Sequence, residues 1–261
     1  MIGIARIWTI AANGFREVIR DRVLYVIVFF AIVMAIALRL LPEISATTED
    51  KIVIDVGLGA IGALGALVAI FIGTGLINKE IEKRTVLILI PKPMSRAELI
   101  IGKHLGLVGV LLVLVAAMSG IYFLSLVWAK VVFHPGSVPS ILVSLLYLSI
   151  ELGILVAAAL AFGVFTSSLL ATLMTFGIYL MGHFSRDLVE LGKISKNTSI
   201  EWFTQGLYLI LPDLSRLNLR NDAVYGVLPP TSQLLGDAVY GVVYITVLLA
   251  IAILIFSRRQ F

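Results

Sequence analysis

Apolar residues run through this chain in stretches of about twenty, separated by short charged segments. A helix needs roughly 20 apolar residues to cross the hydrocarbon core of a bilayer. On that measure the pattern predicts spans at about 23–41, 52–77, 104–128, 140–166, 169–185 and 237–256. Residues 1–22 follow a different rule. Ile4, Ile7, Trp8, Ala11, Phe15 and Ile19 recur at helical spacing, with Arg6, Asn13, Arg16 and Arg20 opposite them. Such a helix lies in the headgroup layer or packs on the protein's own cytoplasmic surface. The charged stretch before the first apolar run is too long for a cleaved signal and no A-x-A site follows, so that run is expected to stay as a helix.

Between residues 186 and 236 the pattern predicts a long connection punctuated by Pro212, Pro229 and Pro230. Its apolar stretch, 200–211, suits an interfacial or re-entrant helix better than a span. The join near Thr166-Ser167-Ser168 is short enough to make the fourth and fifth spans a tight hairpin. The second span is rich in glycine (Gly57, Gly59, Gly62, Gly65, Gly73, Gly75), which favours close helix packing over flexible gating.

Charge fixes the expected orientation. Twelve of the twenty lysines and arginines fall in the N-terminal segment, the 78–103 loop and the C-terminus. The positive-inside rule places these three segments, and both termini, in the cytoplasm. Composition agrees with an all-α integral membrane protein: of 261 residues 60% are hydrophobic and 14% charged, with a mean hydropathy of +1.06. The whole chain reads as one transmembrane domain. A net charge of +4 beside apolar runs speaks for membrane orientation and against nucleic acid. The absence of cysteine excludes disulfides, thiolate metal sites and cysteine nucleophiles.

Chemistry-bearing residues are few. His104, His134 and His183 show no metal-binding spacing, and Gly102-Lys103-His104 is no phosphate loop, so any ATPase is expected on another chain. Glu151 stands in the middle of the fourth apolar run, where an ionised carboxylate costs about 3 kcal/mol. It shares a helix face with Ser140, Ser144 and Tyr147, and the fifth span carries a similar stripe of Thr172, Thr175, Tyr179 and His183. These faces are expected to look into the bundle or a wet cavity. A translocation path through Glu151, Ser144, Tyr147, Thr175 and Tyr179 and a structural hydrogen bond from a protonated Glu151 are both compatible with that placement. Asp55 and Arg39, near helix ends, are expected to reach the interface.

The cytoplasmic stretch is the most informative. Glu80-Ile81-Glu82-Lys83-Arg84-Thr85 leads into an apolar patch at Val86–Ile90, which Pro91 and Pro93 end. Ser95 then caps a new helix with Glu98 at its third position. Read physically, this is either a rigid projection for a partner or an ordinary solvated loop. Glu80 to Lys103 resembles the signature of type-2 ATP-binding-cassette permeases: a glutamate pair, Arg-Thr, an apolar run, Lys-Pro-x-Ser-Arg, then Gly-Lys opening the third span. Leu211-Pro212-Asp213-Leu214-Ser215 is similar to a motif of the branch that includes multicopper-enzyme maturation permeases. The resemblance implies a permease in the cytoplasmic membrane, most readily an exporter, paired with a second copy and two separate ATPase subunits. ATP and magnesium would reside on those subunits, with no cofactor on this chain. It further implies that Glu80, Glu82, Arg84, Thr85, Pro93, Ser95 and Arg96 couple the ATPase to the membrane helices. The rival readings are a secondary transporter or channel built on Glu151, a non-transporting scaffold subunit and, for want of paired catalytic residues, more remotely an intramembrane enzyme.

Overall fold

The computed structural model describes residues 3–21, 23–44, 49–82, 95–132, 136–195 and 197–258, and within them every regular element is helical. The helices are α1 (Ile4–Asp21), α2 (Val23–Ile44), α3 (Glu49–Glu82), α4 (Arg96–Trp128), α5 (Ser137–Phe165), α6 (Ser168–His183), α7 (Ser185–Ile194), α8 (Thr198–Ile210), α9 (Arg220–Tyr225) and α10 (Thr231–Arg258), with a 3-10 turn at Leu214–Arg216. Helices α3, α4, α5 and α10 are each long and apolar enough to cross a membrane. Taking α1 with α2 (bent by 52°) and α6 with α7 (bent by 63°) as one span each brings the total to six.

The expected span at 169–185 is the one the structure shortens. Helix α6 has 16 residues, about 24 Å at 1.5 Å per residue, short of a ~30 Å core. Its end is enforced by contacts. At Gly182 an added Cβ would lie 2.8 Å from the Pro212 carbonyl oxygen and 2.7 Å from Leu214 Cγ. The 212–214 turn therefore sits directly on the last turn of α6, and the chain bends there into α7.

Helix α5 is the centre of the bundle, packed by α3, α4, α6, α9 and α10. Leu152 and the run Ile154–Leu160 are fully buried. The glycines of α3 make this closeness possible. A Cβ at Gly65 would lie 2.9 Å from Leu152 Cδ1, and one at Gly73 2.8 Å from the Ala159 Cβ, so α3 and α5 run parallel with almost no space between backbones. Outside this core α2 and α10 present apolar rows to the surroundings, such as Leu24, Val28, Ile32 and Ile36 on α2 and Val239, Val243, Val247 and Leu254 on α10.

Helix α1 does not stand apart from the bundle. Gly102, Gly106 and Gly109 of α4 form a groove that receives Ile10, Ala11 and Phe15, and a Cβ at Gly106 would lie 2.6 Å from the Ala11 carbonyl oxygen. Ala11 and Val18 are buried, whereas Ile4 and Trp8 remain exposed. The helix thus seats its C-terminal half on the protein and leaves apolar side chains at its N-terminal half.

At the opposite end, the long connection is a helical cap: the helix expected over 200–211 is α8, and α7 and α9 are helices the pattern did not mark. Helices α7 and α8 pack against each other with Gly192 beside the buried Thr204, and the pair exposes Leu191, Ile194, Trp202, Phe203, Leu209 and Ile210. That apolar rim suits the membrane interface.

Candidate functional site

Glu151 lies midway along α5 and is almost fully buried, as its apolar neighbours are. The last turn of α6 brings His183 to it, with Nε2 3.4 Å from Oε1. The other imidazole nitrogen, Nδ1, is 3.0 Å from the Tyr179 carbonyl oxygen. The Tyr179 ring stacks edge-on against the imidazole at 4.8 Å. Together with Ser144, Leu145, Leu148, Gly59 and Gly62, these side chains line a cavity of about 70 Å³, room for a few water molecules.

Arg220 of α9 closes the cavity towards the cap. Its guanidinium makes a bidentate pair with Asp55 of α3, Nε to Oδ1 and Nη2 to Oδ2, both 2.6 Å. Gly59 leaves the space for it: a Cβ there would lie 2.6 Å from Nη1. Beyond this pair Asp55, His183, Ser215, Asn218, Arg220 and Asn221 line a wider vestibule of about 340 Å³. Asp55, expected to reach the interface, is half exposed and has in addition a partner 165 positions along the chain.

The cap that carries Arg220 is organised by Asp213. Its Oδ2 accepts from Arg186 Nε and Arg216 Nε, each at 3.0 Å, and from Tyr208 Oη at 3.4 Å. Its Oδ1 accepts from Ser185 and Ser215, and its backbone N–H donates to Tyr240 Oη at 2.8 Å. The buried carboxylate thus ties α7, α8 and the 3-10 turn together, and the backbone of the same residue joins them to α10. Burial alone would raise its proton affinity, but the bonds from Ser215, Arg186 and Arg216 outweigh burial and hold the group below the ordinary carboxylate range.

A second junction lies at the α1 end, where the 78–103 segment re-enters the bundle. Ser95 caps α4 in a complete capping box: Ser95 Oγ accepts from Glu98 N at 3.1 Å and Glu98 Oε2 from Ser95 N at 2.8 Å. The buried Glu98 also accepts from Gly3 N at 2.6 Å and lies 3.9 Å from Arg6, which binds the start of α1 to the start of α4. Arg96 donates to the Phe256 and Ser257 carbonyls at the end of α10 and lies over the Phe256 ring. A cation bonded to the last carbonyls of a helix satisfies unpaired acceptors and opposes the negative dipole end.

The structure therefore groups the sequence-derived residues unevenly. Glu151, Ser144 and Tyr179 line one cavity. Tyr147 turns to α10, donating to the Leu234 carbonyl, and Thr175 bonds the Ala171 carbonyl within α6. Glu80 and Glu82 belong to the last turn of α3, Ser95 and Arg96 form the junction just described, and Arg84, Thr85 and Pro93 lie outside the described residues. His104 bonds the Gly153 carbonyl across the α4–α5 interface at 3.1 Å. Among the described residues no group of three metal-ligating side chains converges. Sequence reasoning did not single out the pairing of His183 with Glu151, the Asp55–Arg220 pair or the Asp213 hub. The two hydroxyl-bearing stripes on α5 and α6 were the signal for the first. The second left none in local sequence.

No curated protein matches this chain. The family model described as ABC-2 family transporter protein matches residues 8–261. With nearly the whole helical bundle inside that match, the chain belongs to the ABC-2 family of transporter membrane proteins.

Proposed function

We propose that this protein is the exporting permease subunit of an ATP-binding-cassette transporter, working with a second copy of itself and driven by separate ATPase subunits that engage the 78–103 segment. ATP and magnesium then act on the partner, and this chain converts the partner's closure into movement of its helices. The observation that carries the reading is the junction at Ser95–Glu98. The segment that would meet the ATPase re-enters the bundle where Glu98 holds α1 and Arg96 holds the end of α10. A displacement there acts on three helices together. The charge count supports a cytoplasmic-membrane location with this end inside. The vestibule at Asp55 and Arg220 then faces outwards, which supports release to the exterior. The rows on α2 and α10 offer apolar surface for lipid or a second permease.

The test is purification of the tagged chain in mild detergent with an ATPase assay. An ATPase subunit is expected to co-purify, and Glu82→Ala or Arg84→Ala to lower transport at least tenfold while expression and bundle stability hold. Transport unchanged in both variants would remove the coupling assignment. The buried Glu151, with the half-buried His183 beside it, favours one rival, a proton-coupled secondary transporter. ATP-independent flux abolished by Glu151→Gln, with no ATPase bound, would establish that rival instead.

A further inference from the structure

Helices α3 and α6 run antiparallel: Gly59 shares the cavity with His183, whereas Thr74 meets Thr172. The two ends of this seam differ. At the cap end Gly59, Gly62 and Ala63 stand back from Tyr179 and His183, and the space between them is part of the cavity. From Gly59 to Thr74 is about 22 Å at 1.5 Å per residue, and there a hydrogen bond joins the helices, with Thr74 Oγ1 2.9 Å from Thr172 Oγ1. Ala66, Ile70 and Thr175, which continue the two stripes towards that bond, are buried.

The three walls of the cavity are drawn together at this end. Gly73 brings α3 against Ala159 of α5, and Thr166 and Ser167 join α5 to α6. The first contact is close-packed and the second covalent, which leaves the α3–α6 seam as the way from the cavity to the α1 end. The bond across that seam is built to open. Each hydroxyl also has a carbonyl of its own helix within reach, Ile70 for Thr74 and Ser168 for Thr172, both at 2.8 Å. A hydroxyl owns one hydrogen and two lone pairs. In the closed seam one threonine donates to the other, and the receiver donates to its own carbonyl. When the helices part, both fall back on those carbonyls and neither is left unsatisfied. A single bond is lost, and no buried group is stranded.

We infer that Thr74 and Thr172 form the latch that closes the cavity towards the α1 end, and that the path opens there by separation of α3 from α6. The inference rests on this cavity being part of the transport path, and it names the positioning residues of the closure on the coupling side. Helix α3 runs on from Thr74 to Glu82, roughly two turns, and so leads directly into the 78–103 segment.

The full-length chain with Ser144→Cys as its one cysteine is reconstituted without an ATPase in sealed vesicles. A membrane-impermeant methanethiosulfonate is added outside or trapped inside, and the Ser257→Cys chain in the same vesicles reports which face the α1 end presents. Labelling from the α1 side is expected to rise about threefold in Thr74→Val and in Thr172→Val, the size of an average interhelical hydrogen bond in a membrane. The two together are expected to raise it no further, since both remove one bond. Thr172→Ser, which keeps the hydroxyl, is expected to label at the original rate, and labelling from the cap side to stay unchanged throughout. Unchanged rates in both valine variants, effects that multiply in the double variant, or an equal rise from both sides would overturn the inference. Because no ATPase takes part, a negative result leaves the permease reading intact, and failure of an ATPase to co-purify leaves this result unaffected.

Discussion

Asp213 shows how much a single side chain can carry. It is a short carboxylate in the Leu-Pro-Asp-Leu-Ser run, yet it accepts from five side chains drawn from three segments. Its arginine partners stay half in solvent, so they regain water when the carboxylate is removed. The cost of Asp213→Ala is accordingly that of lost charge-assisted bonds, about 2 kcal/mol, and is expected as a lowered melting temperature with faster proteolysis between residues 186 and 230. The pH dependence has a definite sign. Because the folded carboxyl is held below its ordinary value, the unfolded chain takes up the proton first as pH falls. The contribution is complete above the ordinary carboxylate range and is lost as pH drops through the lowered folded value. Acid titration followed by limited proteolysis is expected to loosen the wild-type cap in that window and to leave an already loosened Asp213→Ala cap unchanged.

At the scale of elements, α1 and α4 depend on a groove rather than on specific bonds. Gly106 meets a backbone carbonyl, which cannot rotate away as a side chain would. Gly106→Val is expected to cost about 2 kcal/mol and to lift α1 off α4. The chain has no cysteine of its own, so a Val18→Cys probe on the buried face of α1 measures that lift directly. Maleimide labelling is expected to be slow in the otherwise native chain and fast on adding Gly106→Val. Elements of this length were legible in the sequence because each apolar run matches the thickness of a bilayer, although α4 begins eight residues and α10 six residues before the expected span. Of the cap only α8 was legible, as the apolar stretch 200–211. Helices α7 and α9 have only 10 and 6 residues, and they are held by Asp213 and Arg220 through partners far away in sequence. The same limit hid half of the candidate site. Glu151 declared itself as a carboxyl in an apolar run, but its distance from His183 depends on how α5 and α6 pack and on where the 212–214 turn stops α6.

For the whole molecule, the proposed function gives the two ends different jobs: a coupling surface at the α1 end, a cavity and its closure at the cap. Their expected sidedness, argued from the lysine and arginine count, is directly measurable with single cysteines. A membrane-impermeant maleimide added to intact cells is expected to label Gln233→Cys at the cap and to spare Ser257→Cys until the membrane is opened. The reverse pattern would invert the orientation on which export rests. The Asp55–Arg220 pair is expected to act as the door between vestibule and cavity. In a Ser144→Cys background, Asp55→Ala is expected to raise the labelling rate about tenfold, the equivalent of ~1.4 kcal/mol in the closing equilibrium. An unchanged rate would mean that the pair contributes nothing to closure.

The two-residue turn at Thr166 and Ser167 between α5 and α6 bears on how the protein is made. During synthesis α5 leaves the ribosome long before α10 exists to cover it, so its carboxyl enters the bilayer without its final shelter. A charged side chain in that position costs about 3 kcal/mol on insertion scales. The next helix to emerge is the one that ends in His183, and so short a turn obliges the two to insert as a hairpin. Glu151 then reaches the lipid with His183 already beside it. Lengthening that turn is expected to lower the yield of inserted protein while leaving the finished fold the same.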